Sequence, residues 1–184
     1  GTQLASGSAD FTVFIRNLTD EEALPIVLDN DNIVRSIAFT PDNRQIAIGG
    51  DDYGVDVWEL YDEEDAYLGY LSKTLNHEYT VISAEYLPNG ETLVTATWGS
   101  LISWWDVPNR ETTQTVDRGF LITAGIFDGT PIILSEPSIG TIDVYNAETL
   151  QNIILIEEAH PTNIYQAALS PDQSLLSTAS YDGF

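Results

Sequence analysis

The chain has 184 residues, enough to fill one domain, with an ordinary globular share of hydrophobic residues at 43 %. Six basic residues against 29 acidic ones leave a formal charge of −23, which disfavours nucleic-acid backbones and anionic membrane surfaces, since Lys and Arg hold both. Cysteine is absent, which removes disulfides and thiolate metal sites. No run of about 18 apolar residues suggests a membrane span. No basic n-region suggests a signal peptide, which leaves location open and tilts it towards the cytoplasm. Methionine is absent too, position 1 included, so the first residue is not a native initiator.

In chain order, short apolar or alternating runs are separated by Gly, Pro, Asn and Asp, which is the pattern of strands and tight turns. Gln3–Ser8 and Thr12–Leu18 are expected to form a hairpin, followed by an outer strand at Ala23–Leu28. Val34–Phe39 leads through Thr40-Pro41-Asp42 into Gln45–Leu60, whose Gly49-Gly50-Asp51-Asp52-Tyr53-Gly54 centre reads as an antiparallel hairpin tip. An acidic loop, Tyr61-Asp62-Glu63-Glu64-Asp65-Ala66, precedes an outer strand at Tyr67–Leu75. Its carboxylates invite a calcium reading, but their spacing does not fit a D-x-[DN]-x-[DN]-G loop, and a solvated charge run is the preferred account. The same order then returns: Val81–Tyr86, Leu87-Pro88-Asn89 and a hairpin at Leu93–Val107; Leu121–Ile126, Phe127-Asp128-Gly129 and Ile133–Ala147; Ile164–Leu169, Ser170-Pro171-Asp172 and Leu176–Phe184.

These are internal repeats. Leu4, Ile46, Leu93, Ile133 and Leu176 open the aligned copies at spacings of 42, 47, 40 and 43 residues. Four residues before each first strand stand Asn30, His77, Asp117 and His160. From there to the tip residues Asp52, Gly99, Ile139 and Asp182 the distance is 22 every time. Length varies only in the link to the next copy, so each copy has a rigid three-strand core and a loose outer connection. First strands carry small residues (Ser36, Ala38, Ser83, Ala84, Thr123, Ala124, Gly125, Ala167, Ala168) that suit a crowded axis.

His77 four residues before Val81, the Ser170-Pro171-Asp172 turn, the Ser180-Tyr181-Asp182-Gly183 tip, Val57-Trp58-Glu59 and Trp104-Trp105-Asp106 together resemble the WD repeat (WD40 type). The resemblance covers essentially the whole chain. It implies an all-β fold, a β-propeller of four-stranded antiparallel blades set around a channel. The implied division is a partial blade at 1–29 (strands two to four), blades at 30–76, 77–116 and 117–159, and a partial blade at 160–184 (strands one and two). It also implies a structural network in each repeat: a His before the first strand, a Ser or Thr two residues before the tip Asp, the Asp itself, and a Trp in the third strand. Carried over, these are His160, Ser180 and Asp182; His77, Thr97 and Trp105, with Gly99 in place of Asp; and Asp52 with Trp58, where Asn30 and Gly50 replace the others. In the repeat at 117–159 the places hold Asp117, Pro137, Ile139 and Tyr145, and the network looks lost. A hydrolytic reading of His, Ser and Asp is possible chemistry, but the recurrence of these positions in register with the fold favours a structural role.

No G-x-S-x-G elbow, phosphate-cradling glycine loop or His pair at metal spacing is present, so neither an enzyme, a cofactor nor a metal site is expected. The resemblance implies binding, through the face that carries the hairpin tips and the entries to the first strands. Exposed aromatic residues are favoured anchors on such a face, which singles out Tyr79, Trp98, Phe120 and Tyr181. Packing against a neighbouring blade is the alternative for each. The acidity reads first as a solvated, self-repelling surface and second as a docking face for a basic protein or peptide; a single lysine, Lys73, also fits a high-salt source. The functional expectation is a non-catalytic, peptide-docking scaffold that is a segment of a larger propeller. The alternative is a self-assembling segment, two copies closing a ring of about eight blades through their open sheet edges.

Overall fold

A computed structural model describes residues 2–20, 22–62, 64, 66–117, 119–170 and 174–183, and the backbone but not the side chains of Leu121 and Ile122. Among the described residues there are 17 strands in five antiparallel sheets and no helix. The first sheet holds β1 (Gln3–Gly7), β2 (Thr12–Asn17) and β3 (Ile26–Asp29). The second holds β4 (Val34–Phe39), β5 (Gln45–Gly50), β6 (Gly54–Tyr61) and β7 (Tyr67–Asn76). The third holds β8 (Val81–Tyr86), β9 (Thr92–Thr97), β10 (Leu101–Asp106) and β11 (Glu111–Asp117). The fourth holds β12 (Phe120–Phe127), β13 (Thr130–Glu136), β14 (Ile142–Asn146) and β15 (Asn152–Ile156), and β16 (Ile164–Leu169) pairs with β17 (Leu176–Ser180). In every sheet the strands neighbour one another in chain order, as short turns between alternating runs require. The strand expected at Ala23–Leu28 starts at Ile26 instead, because Pro25 has no N–H to give to a ladder. Pro171 and Asp172, expected in a turn, and Glu63 and Asp65 of the acidic loop lie outside the described residues. Asp62 closes that loop, its Oδ1 accepting the N–H groups of Glu64 and Ala66 at 2.9 Å each.

The chain divides into two compact units. One runs to Tyr86 and takes in Thr97–Gly99; the other holds Leu87–Ala96 and the residues from Ser100 on. In the first, Val13, Ile15, Leu28, Val34, Ile46, Ile48 and Leu60 form one buried cluster, which joins the inner faces of the first two sheets. Burying an aliphatic side chain of this size is worth about 1.5–3 kcal/mol, so this cluster is a main source of cohesion there. Small residues let the inner strands approach: a Cβ on Gly49 would stand 2.9 Å from Val81 Cγ1, and the Ser36 hydroxyl accepts the Ala84 N–H at 2.8 Å. In the second unit, Ile132, Leu134, Ile142, Val144, Ile164 and Ala167 play the corresponding part.

The hairpin tips share one backbone device. The residue after each tip position lies in the left-handed region: Phe11 (φ 75°), Tyr53 (64°), Ser100 (61°), Gly140 (72°) and Gly183 (85°). Only two of the five are glycine, so three copies hold a side chain where the backbone disfavours one.

Candidate functional site

The first strands supply a second recurring device. Val34 pairs with Gly50 and Ser36 with Gly49, so Arg35 is an extra residue bulged out of β4. A bulge re-aims its side chain, and Arg35 reaches the residue before its own hairpin tip. Its Nε donates to Asp51 Oδ1 and its Nη2 to Asp51 Oδ2 at 2.9 Å, a two-point fork. The guanidinium also lies over the Trp98 ring, 5.0 Å from its centroid. The hydrogen bond from Arg35 holds the Asp51 carboxyl below its ordinary range, and the same bond raises the guanidinium. Beside them the Tyr79 ring lies against the next tip, for a Cβ on Gly99 would stand 2.6 Å from Tyr79 Cδ2. Tyr79 is 47 % exposed and Trp98 61 %. The first unit therefore presents Arg35, Asp51, Tyr79 and Trp98 as one surface.

In the second unit the same bulge recurs. Ile164 pairs with Ser180 and Gln166 with Ala179, which leaves Tyr165 as the extra residue. Tyr165 meets Tyr181, the residue before the tip, edge to face with ring centroids 4.2 Å apart. Both are exposed. Phe120 is half-buried at the start of β12, opposite Glu136. Of the four aromatic residues singled out in the sequence, Tyr79 and Trp98 thus share a surface in one unit, while Phe120 and Tyr181 belong to the other. Arg35, Asp51 and Tyr165 were missed, although each bulge residue stands 16 positions before its tip partner in both cases.

Next to Tyr181 in the same tip sits a part-buried polar chain. His160 Nδ1 donates to Asp182 Oδ2 at 2.7 Å, and Nε2 meets the Thr178 hydroxyl at 2.7 Å. The His and Asp side chains are only 10 % and 7 % exposed. Ser180, expected as the hydroxyl of this chain, pairs with Thr162 instead. Among the described residues no group of three or more His, Asp or Glu side chains could hold a metal ion.

The WD40 family profile (WD domain, G-beta repeat) matches residues 26–59 and 151–184. At these two stretches the chain carries WD40 repeats. It is 28 % identical over 114 residues to Antiviral protein SKI8 of Saccharomyces cerevisiae, across 56 % of this chain and 29 % of that protein. It is 29 % identical over 157 residues to WD repeat-containing protein slp1 of Schizosaccharomyces pombe, across 81 % of this chain and 31 % of that protein. The chain thus spans about a third of the length of the curated relatives it matches.

The repeats differ in how they fasten their tips. In the third sheet Trp105 Nε1 donates to the Thr95 hydroxyl at 3.2 Å, while Thr97, expected in that role, is buried with no partner for its own hydroxyl. His77 Nδ1 lies 3.0 Å from the Leu75 carbonyl, and burial lowers its pKa. The hydroxyl position is therefore four residues before the tip, at Thr95 and Thr178, and not two. At that position the second sheet has Ile48. Trp58, whose partner across the ladder is Ile46 as Leu93 is for Trp105, is left with a buried Nε1 and no acceptor. Asp52 accepts the Gly54 N–H at 3.4 Å, a local contact within its own tip. Trp104, adjacent to Trp105, is buried as well and donates to the Ala147 carbonyl at 2.8 Å.

The repeat whose network looked lost has another fastener. Glu136, 4 % exposed at the end of β13, accepts the Gly140 N–H at 2.8 Å and the Ile164 N–H at 3.0 Å through one oxygen. It ties its own tip to the start of β16. Tyr145, in the Trp place, donates its hydroxyl to Asp143, which also accepts Asn152 Nδ2 at 3.0 Å.

Proposed function

We propose that this chain is the non-catalytic, protein-binding portion of a WD40-repeat scaffold, and that its tip surface around Tyr79 and Trp98 docks a basic peptide. The carrying observation is the large exposure of Trp98 beside Tyr79 at a hairpin tip, with a guanidinium already seated on its ring. A buried side chain at this position would have been a packing element; an indole left 61 % in water is an anchor awaiting cover. The overall charge of −23 favours cationic partners and speeds their encounter. The WD40 relatives support a role in protein interaction, and the Asp182–His160–Thr178 chain is assigned to holding a tip in place. Tyr181 with Tyr165 forms the corresponding aromatic pair of the second unit, and half-buried Phe120 ranks after them.

The test is a fluorescence-anisotropy titration of a labelled Arg/Lys-rich peptide and an acidic peptide of the same length. The basic peptide is expected to bind, more weakly as salt is raised, and W98A to lose about tenfold or more of the affinity. Equal binding of both peptides, or wild-type affinity in W98A and Y79A, would overturn the proposal.

A further inference from the structure

Resting on that reading of the tip surface, we propose that Asp51 and Trp98 form a guanidinium seat that the chain fills with its own Arg35, and that a partner's arginine takes the seat by displacing it. The seat has the two elements that distinguish a guanidinium from an ammonium. A carboxylate accepts a planar fork at both oxygens, and an aromatic face receives the flat cation. A lysine could satisfy only one of these at a time. Arg35 reaches the seat because the β4 bulge throws it there, and not because it is packed in: its side chain remains 33 % exposed and that of Asp51 27 %. With Arg35 seated on Asp51, the chain as a whole still carries a formal charge of −23, which favours a cationic newcomer. An incoming arginine therefore meets a site whose shape and charge already suit it, occupied by a residue on an exposed bulge that can swing away into water.

A self-occupied seat lowers apparent affinity by the fraction of time it is free. Removing the internal occupant should thus strengthen binding, which a merely structural ion pair would not do. The experiment measures, by calorimetry, the affinity of blocked Gly-Arg-Gly and Gly-Lys-Gly peptides for wild type, R35A and R35A/D51N. R35A is expected to bind the arginine peptide about tenfold more tightly than wild type and to prefer it to the lysine peptide; R35A/D51N is expected to lose that gain. If R35A binds the arginine peptide no more tightly than wild type, or binds both peptides alike, the seat is refuted. Basic-peptide binding by wild type without a gain in R35A would leave the docking surface standing and the seat refuted; a gain in R35A without binding of longer basic peptides would do the reverse.

Discussion

Removing the Glu136 carboxylate should separate a tip from the strand that follows it. Glu136 is 4 % exposed and receives two backbone N–H groups, from Gly140 and Ile164, on one oxygen. Hydrogen bonds to a charged group contribute about 1.5–3 kcal/mol each, so their gross loss in E136A is about 3–6 kcal/mol. Burying the carboxylate costs several kcal/mol after relaxation, and that cost disappears with the side chain. The two N–H donors, however, stay buried without an acceptor, at about 1–3 kcal/mol apiece. The net expectation for E136A is a loss of about 2–4 kcal/mol. E136Q keeps an acceptor oxygen and should lose about half as much. Urea unfolding at constant m-value measures the difference, and amide exchange at Gly140 and Ile164 locates it, since both should exchange faster in E136A than in wild type. An E136A within about 0.5 kcal/mol of wild type, which is the scatter of ordinary surface substitutions, or less stable E136Q than E136A, would refute the clip.

Ile48 stands where Thr95 and Thr178 supply a hydroxyl, and Trp58 Nε1 is buried without an acceptor. I48T should therefore be at least as stable as the isosteric I48V in urea, although a buried hydroxyl ordinarily costs about 1–3 kcal/mol; a clear deficit of I48T would contradict the assignment. Burial alone pushes the Glu85 pKa up to about 7 from 4.5. The folded state then holds a proton that the unfolded chain releases, so stability falls as pH rises from about 4.5 to 7. E85Q should escape that fall, gaining on the order of 2–3 kcal/mol over wild type at pH 8 relative to pH 4.5, and parallel pH profiles of the two proteins would refute this. Gly99 lies under the Tyr79 ring with no room for a methyl group. G99A should displace the ring and weaken basic-peptide binding by about threefold or more, while an unchanged affinity would remove Tyr79 from the site.

The hairpins and their tips were legible because a constant distance of 22 residues separates each strand entry from its tip, and strand alternation fixes the register between them. The hydroxyl of the polar chain was not. Thr178 and Ser180 are two positions apart on one strand, so both point to the same face, and alternation cannot choose between them. Only the contact with His160 does. The column Ser6, Thr95, Ser135, Thr178 was nonetheless present in the sequence, four places before each tip, and a comparison of all five copies would have favoured it. Arg35 and Tyr165 were hidden for a different reason. A bulge adds one residue without leaving a mark in the hydrophobic pattern, and the added side chain leaves the face that its parity predicts. Glu136 was overlooked because it sits outside the places where a WD40 repeat keeps its fastener, and one more glutamate in a chain with 29 acidic residues carries no signal of its own.

Trp98 is where a basic partner is expected to land. In a titration of isotope-labelled protein with an Arg/Lys-rich peptide, the indole N–H of Trp98 should shift first and saturate with the binding curve, while the buried indoles of Trp104 and Trp105 hold still. Shifts that leave the Trp98 indole untouched as the peptide binds would contradict it.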